Sequence, residues 1–136
     1  MAWRFAGRML VFVHGPKNPT GLEWHRFLKE TSAAPDRANA RILVVSHGGG
    51  PDVDQRKLLA RAIGSAPAPT VIMTNSTMVR AITHALGFFN RYMKAVGLHD
   101  SDDAFAHLGL SHDERREALR LRAELETELG ISAAKR

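Results

Sequence analysis

Residues 41–63 constrain the fold more than any other stretch of the chain. Arg41-Ile42-Leu43-Val44-Val45-Ser46 is a short apolar, β-branched run. It stops at His47 and three consecutive glycines, Gly48, Gly49 and Gly50. Pro51 and Asp52 follow, and apolar residues then recur at helical spacing through Ile63. A strand, a tight turn and a helix start in so few residues make a β-α unit, the repeat of parallel α/β sheets. In such sheets the strand's carboxyl end opens into a crevice, and working residues gather there. Ser46, His47, the glycines, Asp52 and Asp54 are therefore candidate site residues.

The same alternation runs along the rest of the chain. Trp3–Ala6 and Met9–His14 flank Gly7-Arg8 and read as an antiparallel hairpin. The second run is almost wholly apolar, as in a strand buried on both faces. Thr20 opens a helix with Glu23 three residues on, a capping box in which each side chain satisfies an orphan backbone N–H. Trp24, Phe27, Leu28 and Thr31 share one face of that helix, with Trp24 expected to be partly exposed. Ala33–Ala40 is a loop. Asp52 and Gln55 start the next helix, whose buried face is expected to carry Leu58, Leu59, Ala62 and Ile63, with Gly64 as terminator.

Pro67–Pro69 marks a loop, Thr70–Thr74 a third strand, and Ser76 caps a helix. That helix is expected to bury Met78, Val79, Ile82, Ala85, Leu86 and Phe89. Phe88, Phe89 and Tyr92 read as core. Met93–Val96 is a short strand and Ser101–Leu108 a short helix. Ser111 and Glu114 form a second capping box, opening a charged C-terminal helix at about 112–129 with Ala118, Leu121, Leu125 and Leu129 as its stripe. The order β-β-α-β-α-β-α-β-α-α implies one α/β domain over 1–136. Its sheet would be mixed but mostly parallel, with about five strands covered by helices.

The 136 residues include no cysteine, which excludes disulfides and zinc–thiolate sites. No apolar run nears the ~18–20 residues needed to span a bilayer, and secretion is not expected, since the N-terminal residues show no separate hydrophobic stretch with a cleavage site. A cytoplasmic location is expected. The net charge is +5, split between 13 basic and 5 acidic residues up to Leu98 and 6 basic and 9 acidic beyond it. The basic residues are scattered with few aromatic neighbours, which argues against nucleic acid as partner.

The segment order and several local runs resemble the STAS domain of anti-sigma factor antagonists and its SpoIIAA-like relatives. The resemblance rests on the opening hairpin ending at Val13-His14-Gly15, on Ile42–Ser46 with the helix from Asp52, and on Thr70–Ser76 with the helix to Gly87. It rests also on the segment from Met93 to Gly109, where acidic residues precede Ala104-Phe105. It implies a non-enzymatic bacterial signalling module that binds a regulatory protein, a kinase or an anti-sigma-like partner, without a cofactor. Some members of that family are switched by phosphorylation of a serine or threonine at the start of the helix after the central strand. Here Pro51-Asp52-Val53-Asp54 holds no hydroxyl, so Asp52 or Asp54 would supply a fixed negative charge. Ser46 is the nearest alternative phosphosite.

Two other readings compete. His14 and His47, with Asn75 and Ser76, fall near strand carboxyl ends, and a histidine pair with a serine suits a small hydrolase or a phosphate or anion binder. His99 is placed similarly. No HxH or HExxH spacing supports a metal, and the glycines match neither a Walker loop nor GxGxxG. His25, His84, His107 and His112 fall on helices as surface or boundary residues. The kinship of the STAS fold to CRAL-TRIO domains brings in lipid binding as a third reading.

Overall fold

The structure, a computed structural model, describes residues 1–33, 39–63, 68–87 and 92–131. Strands β1 (Ala2–Ala6), β2 (Met9–His14), β3 (Arg41–Ser46), β4 (Thr70–Thr74) and β5 (Met93–Val96) form one sheet. They lie side by side in chain order. The β1–β2 pair is antiparallel, and β2–β3, β3–β4 and β4–β5 are parallel. Helices α1 (Gly21–Ala33), α2 (Val53–Ile63), α3 (Thr77–Gly87), α4 (Ser101–Leu108) and α5 (His112–Glu128) cover it. The α/β domain with a mixed, mostly parallel sheet is as expected from the sequence.

Strand parity sorts the core into two layers, because successive side chains point to opposite faces. Val11, Val13, Leu43, Val45, Val71 and Met73, all odd-numbered, pack with Ala104, Phe105 and Leu108 of α4 and with Ala118, Leu121 and Leu125 of α5. Even-numbered Leu10, Phe12 and Val44 pack with Trp24 and Phe27 of α1 and the half-buried Leu59 of α2. The parallel register keeps each row intact: Val11 lies beside Leu43, and Leu43 beside Val71. Burying a side chain of this size is worth about 1.5–3 kcal/mol, so both rows drive folding.

The ends of the elements follow local chemistry. Gly7, at φ 56°, takes a left-handed conformation in the hairpin turn. The first capping box is made by Thr20 Oγ1, which accepts from Glu23 N–H, while Glu23 Oε1 accepts from Thr20 N–H. The box at Ser111 and Glu114 forms as well. Glu114 also accepts two hydrogen bonds from Arg8, at 2.8 and 2.9 Å, tying the hairpin turn to the start of α5. Those bonds and the capping contact hold the Glu114 carboxyl down to about 2.

Five side chains depart from the expected faces. Trp24 is fully buried, because its indole N–H donates to Gln55 O at 2.9 Å under α2. Leu58 is exposed, and Gln55 takes the inward position, its amide donating to Pro19 O. Met78 and Ala85 are exposed, and the buried polar residue of α3 is Thr83, whose hydroxyl donates to Val79 O. Tyr92 is exposed. Gly64, Pro67, Phe88 and Phe89 lie outside the described residues, as does the middle of the Ala33–Ala40 loop.

Candidate functional site

The carboxyl ends of β2, β3 and β4 bring three polar residues into one row. His14 lies beside Ser46, and Ser46 beside Thr74. All three are even-numbered and buried, on the face shared with α1 and α2. Ser46 and Thr74 spend their hydroxyls on the turns that follow. Ser46 Oγ donates to Gly49 O at 2.6 Å and accepts from Gly48 N–H at 3.2 Å. Thr74 Oγ1 accepts from Ser76 N–H.

The glycine loop is built for close approach of two backbones. His47 N–H donates to His14 O, Gly49 N–H to Gly15 O, and Gly50 N–H to Asn18 Oδ1, at 2.9–3.1 Å. A Cβ on Gly49 would sit 2.1 Å from Lys17 O and 2.6 Å from Gly15 O. Gly48, at φ +119°, holds a conformation that side-chain-bearing residues rarely adopt. The amides that would cradle an anion are thus spent, those of His47, Gly49 and Gly50 on the neighbouring 14–18 loop and that of Gly48 on Ser46 Oγ.

Beyond the loop, Asp52 caps α2. Its Oδ1 accepts from Gln55 N–H at 2.8 Å, and Gln55 Oε1 accepts from Asp52 N–H at 3.0 Å. Asp54 is exposed in the first turn. Asn75 Oδ1 accepts from Leu98 N–H, and Ser76 Oγ accepts from Val79 N–H at the start of α3. Each of these groups has a structural role at a helix start or strand end, Asp54 excepted.

His14 and His47 do not converge. Parity separates them: His14 faces α1 and α2, whereas His47 Nε2 meets Glu126 Oε2 of α5 at 2.6 Å. Glu126 Oε1 in turn accepts from Arg122 Nε at 3.2 Å, and Arg122 Nη1 donates to Leu98 O at 2.8 Å. Arg122 and Glu126 are both buried. Sequence reading missed this cluster, although an Arg/Glu pair four residues apart beside the apolar stripe was its visible signal. A cavity of about 240 Å³ lies over it, lined also by His99 and Ser101.

No protein-family model, curated protein or solved structure matches the chain.

His14 is the exceptional member of the row. It is 2% exposed, and among the described residues neither ring nitrogen has a hydrogen-bond partner. Burial pushes its pKa down to about 4, helped by the chain's amino group and opposed by Glu23. The imidazole is therefore neutral at pH 7. Its neighbour Phe12 meets it edge-to-face, with centroids 5.3 Å apart. Both rings line a cavity of about 150 Å³ between the sheet and the helices α1, α2 and α3.

Proposed function

We propose that the chain is a non-enzymatic regulatory module that binds another protein through the carboxyl edge of its sheet. One observation carries this reading. Three of the four β-α connections on that edge present a large apolar residue to solvent in the first turn of the helix. Leu22 of α1 is 73% exposed, Val53 of α2 54% and Met78 of α3 73%. Exposed residues of this kind supply the contact energy of interfaces when a partner desolvates them. Asp54 lies one residue from Val53 and adds a fixed negative charge at the helix N-terminus.

Two further facts support a binding rather than a catalytic role. The loop's hydroxyls and amides are engaged within the fold. His14 and His47, the pair a hydrolase would use, lie on opposite sides of the sheet. The resemblance to STAS anti-sigma factor antagonists points to a partner kinase or anti-sigma-like factor, read by Asp54 in place of a phosphorylated hydroxyl.

The test is calorimetric titration against the kinases and anti-sigma factors encoded nearest this chain. The triple variant Leu22→Ser, Val53→Ser, Met78→Ser should weaken binding at least a hundredfold while leaving the circular dichroism unchanged. Asp54→Arg should weaken it further. Asp52 is a poorer probe, because removing its cap costs about 1 kcal/mol of stability in its own right. A triple variant that binds as tightly as the parent would remove this edge from consideration.

A further inference from the structure

The cavity between the sheet and the α1–α3 layer has walls made mostly of apolar side chains, among them Phe12, Phe27, Val44, Ile72 and Val79. Two of its polar members are buried and lack partners. His14 offers one ring N–H and one ring acceptor, and Thr31 offers a hydroxyl, all without a hydrogen bond among the described residues. Their neighbours on the strand ends show the contrast, since Ser46 and Thr74 are satisfied within their own turns. Leaving a buried donor or acceptor unpaired is costly, and folds retain such groups where something pairs them.

We infer that this cavity is a binding site for a small, uncharged, ring-sized molecule carrying one hydrogen-bonding group, of which phenol is the simplest case. The volume sets the size, since an apolar cavity of about 150 Å³ accommodates a single benzene ring. The walls set the apolarity. Phe12 and Phe27 stand 4.9 Å apart at an interplanar angle of 49°, and Trp24 lies 5.2 Å from Phe27, so a planar guest meets aromatic edges and faces. The neutral His14, with a ring donor and a ring acceptor both unpaired among the described residues, sets the polar requirement, for a group that either donates or accepts. A full charge is disfavoured by the apolar walls. Arg56, at the rim, already donates to Pro51 O. This site is independent of the docking edge proposed above, and neither reading needs the other.

Phenol, benzene and benzoate, titrated separately into the isotopically labelled full chain and followed by NMR, test the inference. Phenol should shift the amides of Phe12, Val44 and Val79 saturably, together with the imidazole nitrogens of His14. It should bind roughly fivefold more tightly than benzene, the worth of one net hydrogen bond. Thr31→Val, which removes the lining's other unpaired hydroxyl and keeps the shape, should leave that preference unchanged without unfolding the chain. His14→Phe should abolish it. The inference is overturned if none of the three saturates those resonances, if benzene matches phenol, or if His14→Phe leaves their ratio unchanged. It is equally overturned if benzoate binds most tightly, which would place recognition on Arg56.

Discussion

Buried and uncharged, His14 should make the protein lose stability on mild acidification. The unfolded chain's imidazole titrates near 6.5, whereas in the fold it is pushed down to about 4, first by burial and then by the chain's amino group, with Glu23 opposing. Above pH 6.5 the residue is neutral in both states, and stability does not depend on it. Between pH 6.5 and 4 the unfolded chain takes up a proton that the fold refuses, so each step toward acid favours unfolding. The slope approaches about 1.4 kcal/mol per pH unit, and the loss accumulates to about 3 kcal/mol by pH 4. Below pH 4 both states carry the proton and the effect saturates. Urea unfolding of the parent chain and of His14→Phe, from pH 8 to pH 4, isolates the term. Glu23 and Glu114, held low in the fold by capping contacts and by a positive partner, lose their contributions at lower pH in both chains and cancel. The parent should lose about 3 kcal/mol relative to the variant across that range. A difference that stays flat, or a His14 ring resonance titrating near 6.5, would refute the reasoning.

Two other substitutions probe the packing around the site. Gly49→Ala places a methyl group against the backbone of Lys17 and Gly15. The two loops must part and the Gly49 N–H bond to Gly15 O must lengthen, so a loss of about 2–4 kcal/mol is expected in urea unfolding; a neutral result would mean that the loops are not in contact. Glu126→Ala strands Arg122 and His47 beside α5 and should cost about 3–5 kcal/mol, whereas Glu126→Gln, which keeps an acceptor for Arg122 and offers an amide N–H to the His47 ring nitrogen, should cost markedly less. Equal losses for the two variants would show that charge matters and hydrogen bonding does not.

The element order and most boundaries were legible because each signal is local: a β-branched run, a cap and its partner three residues on, a glycine at a turn. Faces were harder to read. Leu58 and Leu59 are about 100° apart on α2, and periodicity alone did not decide that Leu59 turns inward while Gln55 is drawn in by hydrogen bonds to Pro19 and Asp52. Met78 read as core by hydrophobicity, yet it sits at the exposed start of α3. Of the site, the loop and the cap at Asp52 were visible. The separation of His14 from His47 was implicit in strand parity, since one number is even and the other odd. The His47–Glu126 contact was hidden by 79 intervening residues and by a helix whose many charges read as a solvated face.

The order of the strands bears on how the protein is made. The sheet grows in one direction, and the helices that interrupt it go to one face, so that layer is complete when β5 is in place. The opposite face, with Val11, Val13, Leu43, Val45, Val71 and Met73, is covered among the described residues by α4 and α5, which follow all five strands in the chain. A nascent chain stalled after β5 carries a nearly finished sheet with one greasy side open to solvent or to a chaperone. The ion pairs from Arg8 to Glu114 and from Arg4 to Glu128 join the first hairpin to the final helix. The helix α5 is thus fastened onto the first hairpin only after all five strands have been made.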